Sequence, residues 1–73
     1  MVKNTAIPFY EIRVRGVLGD ALIDGFPGLA GAREGVDTVL SGELPDQAAL
    51  YGVLSQIESL GLELLAVHQV GRV

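Results

Sequence analysis

The chain has no cysteine, no tryptophan and a single histidine among its 73 residues. Without cysteine it can form no disulfide and no thiolate metal site, and it cannot use thiol catalysis. A single histidine, His68, cannot form a histidine-rich metal site. We therefore expect neither a metal nor a cofactor.

Basic residues are also scarce. Five lysines and arginines stand against nine aspartates and glutamates, which gives a net charge of −4. Nucleic acids and anionic membranes are recognised by basic surfaces, so neither is expected as a partner. The chain has no run of about 20 apolar residues that could span a membrane. The segment MVKNTAIPFYEIRV lacks the apolar core of a signal peptide, and we expect a cytoplasmic protein.

The small size of the chain limits how it can be stabilised. A domain of this length buries only roughly 60% of the surface of its extended chain. Small domains often supplement their core with disulfides, a metal or oligomerisation. Because the composition excludes the first two and 49% of the residues are apolar, self-association is the expected supplement.

The first two thirds of the chain predict one strand, then a short helix, and then two further strands. YEIRVRGVL alternates with period two, which indicates a half-buried strand. Asp20 is placed to cap a helix that stops near Gly25. LAGAREGVDTVLSG predicts a hairpin that turns at Glu34-Gly35, between a weak arm at 29–33 and a firmer arm at 36–41.

Residues 45–60 give the clearest helix. Pro45 suits its first position, and Gly61 suits the position just past its end. An apolar stripe at i, i+3 and i+4 spacing is expected to supply much of the core: Leu50, Val53, Leu54, Ile57 and Leu60. Gly52 inside the helix suggests a close approach of that helix to the sheet.

The segment LELLAVHQV predicts the last strand. Strict alternation points Leu62, Leu64 and Ala66 to the core, and Leu65 and Val67 to the other face. The resulting order β-α-β-β-α-β predicts an α+β, ferredoxin-like fold. Its four-stranded antiparallel sheet has strands one and three in the centre and both helices on one face. We expect a single domain at 9–73 after a flexible arm at 1–8.

The run DQAALYGVLSQIESLGLELLAV, with YEIRVRG upstream, resembles short uncharacterised proteins of high-GC bacteria such as actinobacteria. The resemblance covers roughly residues 10–67 and carries no catalytic motif. In topology the chain is also similar to ACT-type regulatory modules. That similarity implies a small-molecule site at a dimer interface, although fold alone does not imply function.

The uncovered sheet face is the predicted interaction surface, with these residues: Arg13, Arg15, Val17, Val39, Leu65 and Val67. A solvated face with cross-strand ion pairs would carry fewer aliphatic side chains. We therefore expect this face, or the edge of the last strand, to contact a second copy of the chain or a larger protein.

Catalytic and ligand-binding motifs are weak. The glycines between positions 16 and 35 have neither G-x-G-x-x-G spacing nor a following Lys-Ser/Thr, so they fit turns better than a phosphate loop. His68 has no evident nucleophile beside it, and Tyr10 and Tyr51 fit the margin of the core better than a pocket. The leading hypothesis is a non-enzymatic interaction module that forms a homodimer. The alternatives are an ACT-like ligand-binding domain and a small enzyme with a cleft on the sheet.

Overall fold

The computed structural model describes residues 8–70, so nearly all of the predicted arm at 1–8 lies outside the described residues. The elements are β1 (Phe9–Arg15), α1 (Asp20–Asp24), β2 (Ala30–Glu34), β3 (Asp37–Glu43), α2 (Gln47–Ser59) and β4 (Leu64–Val70). The strands form one antiparallel sheet in the order β2-β3-β1-β4. The predicted α+β class is confirmed, with β1 and β3 in the centre.

Both helices cover the same face of the sheet. On that face Ile12 and Val14 of β1 and Leu40 of β3 are fully buried, and Phe26 and Ile57 pack against them. The helices are also joined by a hydrogen bond, in which Nε2 of Gln56 donates to the carbonyl oxygen of Gly25 over 2.5 Å. The core is therefore a single cluster between the helices and the two central strands.

The apolar stripe of α2 packs against this core through the half-buried Leu50, Val53 and Leu54, as predicted, but neither α2 nor β4 supplies most of the core. Within residues 8–70, Ile57 is the one fully buried residue of α2, and β4 has none. Leu54 is half-buried against the core, and Leu60 is exposed. The central strands and the loops that carry Leu18 and Phe26 fill the core instead, because they lie where the helices meet the middle of the sheet.

The ends of α2 are set by two local structures. Asp46 is the N-cap, since its Oδ1 accepts the backbone N–H of Ala49 over 2.8 Å, and Pro45 therefore precedes the cap instead of opening the helix. Gly61 has a φ of +76°, and its N–H donates to the carbonyl of Glu58. The N–H of Leu62 donates to the carbonyl of Ile57, which completes a Schellman motif. The predicted role of Gly61 is confirmed.

The other turns differ slightly from the prediction. Gly19, not Asp20, is the N-cap of α1, and Asp20 is the first helical residue. The β2–β3 loop consists of Gly35 and Val36, one residue later than predicted. Gly35 has a φ of +64°, as the first position of a type II′ turn requires.

Two glycines show where the backbone approaches closely. A Cβ on Gly42 in β3 would lie 2.3 Å from the carbonyl oxygen of Gly28, so only glycine fits there. A Cβ on Gly52 in α2 would meet nothing within 4 Å. The predicted close approach at Gly52 is therefore wrong, because that side of α2 faces away from the sheet.

Candidate interaction surface

The uncovered face of the sheet carries the residues that alternate along each strand with those of the core. Because Ile12 and Val14 point into the core, the neighbouring Arg13 and Arg15 point to the open side. The strand register places Val39 directly opposite Arg13, so it shares that side. Three of the six predicted surface residues, Arg13, Arg15 and Val39, therefore lie on the open face.

Ion pairs occupy much of the open face. Arg13 pairs with Glu34 and lies 3.6 Å from Asp37, and Nε of Arg15 donates to Oε1 of Glu63 over 2.8 Å. The pKa of Arg15 is raised above its ordinary value, chiefly because Glu63 accepts this hydrogen bond and attracts the positive charge. Solvent screens such exposed pairs, so they add little stability. The open face is thus already satisfied by pairs within the chain.

Val17 is not part of the sheet, contrary to the prediction. β1 ends at Arg15, and Val17 follows in the loop to α1, where its side chain is 56% exposed. The loop is held by Thr38, whose buried hydroxyl donates to the carbonyl of Gly16 over 2.7 Å and accepts the N–H of Leu18 over 3.0 Å. These bonds end the alternation that the sequence extends through residue 18.

Val67 lies on the helix-covered side, contrary to the prediction. It pairs directly with the buried Ile12, and Leu64 pairs with Val14, while Ala66 pairs with Arg13. The register shift between Arg13 and Val14 leaves Leu65 as an extra residue in β4. The bulge reverses the phase of every later side chain, so strict alternation from Leu62 places Val67 on the wrong face.

A groove of about 690 Å³ runs between α2 and the start of β4. Leu54, Leu62 and Leu64 give it an apolar lining, and Tyr51, Glu58 and Glu63 stand beside them. Leu62 returns beside the helix because of the Schellman turn at Gly61. A sequence signal for this groove exists: Tyr51, Leu54 and Glu58 share one flank of the helix by their i, i+3, i+7 spacing.

Apolar side chains are left exposed beside this groove. Tyr51 is 59% exposed, Leu64 is 42% exposed and Val67 is 40% exposed. Tyr51 and Leu64 line the same groove, and Leu64 and Val67 share the helix side of β4. We call these three residues the α2–β4 patch. Such a patch next to a sheet edge is typical of an association surface.

The two edges of the sheet differ in protection. β2 is short and carries Arg33 and Glu34, charges that commonly discourage edge pairing. β4 is seven residues long, LLAVHQV, with no aspartate, glutamate, lysine or arginine. Its outer edge has no neighbouring strand within the described residues. β4 is therefore the more competent edge for pairing with another chain.

The remaining candidate residues do not converge. His68 is exposed on the open side, opposite Glu11. Tyr10 packs against the core at the far end of β1 and does not line the groove that contains Tyr51. Within residues 8–70, no cluster of three or more histidines and carboxylates could hold a metal ion. Neither helix in that range is long and apolar enough to cross a membrane.

Comparison with known proteins identifies a family. Residues 9–68 match the family described as Domain of unknown function (DUF8691). No curated protein and no solved structure shows significant similarity to the chain. Because the match spans most of the sequence, the chain belongs to the DUF8691 family.

Proposed function

We propose that this member of the DUF8691 family is a small, non-enzymatic interaction module that forms a homodimer through the free edge of β4. The observation that carries the proposal is the uncharged, seven-residue edge strand beside the α2–β4 patch. Two such edges pair antiparallel about a two-fold axis, which joins the two sheets into one. The backbone supplies the hydrogen bonds, and the patch supplies apolar contact.

The position of the patch favours this edge over the open face. On the open face, Arg13 and Arg15 already have carboxylate partners within the chain. On the helix side of β4, Leu64 and Val67 remain substantially exposed, although both pair with residues of the central strand β1. A second copy placed against β4 removes these two side chains from water, and burial of apolar surface drives association.

The proposal assigns the module no catalysis and keeps the cytoplasmic location expected from the sequence. His68 faces Glu11 across the strands, and a histidine–carboxylate pair needs a nucleophile or bound substrate to perform covalent chemistry. Ser41 of β3 lies opposite Glu11 in the same row, but β1 stands between it and His68, so the hydroxyl and the imidazole are not next to each other.

Sedimentation of the wild type and of Val67→Glu tests the dimer. We expect the wild type to sediment as a dimer at micromolar concentration. Val67→Glu places two like charges near the two-fold axis, so it should be a folded monomer. Val36→Glu, in the β2–β3 turn, introduces the same charge far from β4 and should remain dimeric. A wild type that stays monomeric up to 100-fold higher concentration contradicts the proposal.

A second candidate function is an ACT-like small-molecule-binding domain, which the groove beside α2 favours. Its volume of about 690 Å³ lies within the range of ligand pockets, about 300–1,000 Å³. Nile red, a neutral apolar fluorophore, tests this candidate when it is added to the wild type and to Leu54→Glu. Saturable fluorescence that Leu54→Glu abolishes supports a ligand site. Equal fluorescence with both proteins removes the support.

A further inference from the structure

We infer that the groove beside α2 binds a small organic cation, an amine with an apolar body, and that Glu58 receives the charged group. This inference rests on the second candidate function, the ligand site, and does not depend on the β4 dimer. Three features within residues 8–70 support it: the apolar walls of the groove, the unequal pairing of its two carboxylates, and the charge at the end of α2.

The two carboxylates of the groove differ in what they contact. Among the described residues, the lining contains Glu58 and Glu63 but no lysine, arginine or histidine. Oε1 of Glu63 accepts a hydrogen bond from Nε of Arg15 over 2.8 Å, so a cation of the same chain already offsets its charge. Glu58 forms no ion pair with residues 8–70. The charge of Glu58 is therefore the one that a ligand can neutralise.

The end of α2 adds to the demand for a cation at Glu58. The carboxyl-terminal end of a helix carries a partial negative charge, which favours a positive group beside the last turn. The last turn of α2 has no basic residue, and Glu58 places a full negative charge within it. An amine beside Glu58 is thus attracted by the carboxylate and by the helix end together.

The rest of the groove suits an apolar body. Leu54, Leu62 and Leu64 line it, and Tyr51 lies on the same flank of the helix, seven residues before Glu58. Seven residues correspond to about 10 Å along a helix. An extended ligand with its amine at Glu58 therefore lies along Leu54 and ends beside the ring of Tyr51, where an aromatic group can stack. Burial of the body supplies affinity, and the single charge supplies orientation and selectivity.

Three probes with one skeleton test the charge preference. Phenylbutylamine, phenylbutanol and phenylbutyrate have the same apolar body and end in a positive, a neutral and a negative group near neutral pH. Each is titrated into isotope-labelled protein at low salt, and the shifts of the backbone amide signals in NMR spectra give the Kd and the place of binding. We expect the shifts to centre on residues 51–64, and the Kd to rise from the amine to the alcohol to the carboxylate.

Removal of one charge tests the role of Glu58. Glu58→Gln keeps the size of the side chain, so it should weaken binding of the amine about fivefold, the upper range for an exposed ion pair, and leave the Kd of the alcohol within about twofold. Glu11→Gln makes the same change on the open face of the sheet and is the matched control. It should leave the Kd of every probe unchanged.

The outcomes separate the charge preference from the ligand site itself. Equal Kd values for the three probes in the groove, or an amine preference that survives in Glu58→Gln, overturn the cation and leave the ligand site standing. Amine shifts that centre outside residues 51–64 also overturn the inference. If none of the three probes shifts the amides of residues 51–64, both the ligand site and its cation preference are overturned.

Discussion

The two flanks of the helix-covered sheet face both carry apolar side chains but differ in how completely these are covered. On the β3 flank, Phe26 is 1% exposed and packs in the same cluster as Leu40. On the β4 flank, Tyr51 remains exposed, and a groove separates α2 from Leu64. An apolar segment is therefore not the same as a buried one. The difference indicates that one flank stabilises the fold, and that the other leaves apolar side chains exposed, which the proposed dimer would cover.

Close backbone spacing explains why the β3 flank, which we call the closed flank, is covered, whereas the β4 flank is the open flank. The loop after α1 passes so close to β3 that Gly42 has no room for a Cβ beside Gly28, and Gly31 on β2 has none beside Ile23. Small residues let the loop and α1 descend onto the sheet and cover Leu40. On the β4 flank, Gly52 of α2 faces away from the sheet, and a groove remains between this helix and Leu64.

The largest expected effect on stability distinguishes Phe26 on the β3 flank from Tyr51 on the β4 flank. Phe26→Ala should lower the free energy of unfolding by about 3–5 kcal/mol, because it removes a fully buried ring from a core with few other large side chains. Tyr51→Ala should change it by no more than about 0.5 kcal/mol in the monomer, as is usual for exposed positions. Urea unfolding followed by circular dichroism measures both.

The dependence of the melting temperature on protein concentration distinguishes a role in the fold from a role in the dimer. If Tyr51 contributes to the dimer, Tyr51→Ala should reduce the rise of the melting temperature with concentration, because association stabilises the folded state by mass action. Comparable losses for Phe26→Ala and Tyr51→Ala at low concentration would mean that the two flanks do not differ as described.

A smaller effect is expected for Gly42→Ala on the closed flank. The added methyl would overlap the carbonyl oxygen of Gly28, so the loop must move, and overpacking of this kind costs about 1–3 kcal/mol. Ser41→Ala, the next residue on the other face of β3, is the control. A melting temperature for Gly42→Ala equal to that of Ser41→Ala would show that the loop is held more loosely than the structure indicates.

The smallest effect, with the opposite sign, is expected for Gly52→Ala on the open flank. The new methyl enters open space, and alanine favours a helix over glycine by about 1 kcal/mol. Gly52→Ala should therefore raise the melting temperature. A decrease at low concentration would show that another part of the chain occupies the space beside this helix face.

The element order was predictable because its signals are local. Alternation in β1, the glycine turn between β2 and β3, and the Gly61 terminus of α2 each depend on a few neighbouring residues. Right-handed connection rules then limit the sheet to few arrangements. The open-face positions of Arg13, Arg15 and Val39 follow from the same alternation.

The β4 side chains and the distribution of the core were not predictable in the same way. The bulge at Leu65 reverses the alternation, and it depends on how β4 pairs with β1, a strand far away in the sequence. The burial of Ile57 rather than Leu54 depends on where α2 crosses the sheet, which the helical period alone does not specify. Both errors concern tertiary placement, and the first of them put the predicted interaction residue Val67 on the wrong face.

The strand order also has a kinetic consequence. β1 is the first strand within residues 8–70 and a central strand of the sheet, and its Phe9 pairs with Val70 at the opposite end of that range. Neither of its neighbours forms from adjacent sequence, so closing these long loops precedes most of the stabilising contacts. We expect this domain to refold in milliseconds or longer, slowly for its length, as proteins dominated by non-local pairing do. During synthesis, β1 would present an unpaired edge until β3 and β4 have emerged.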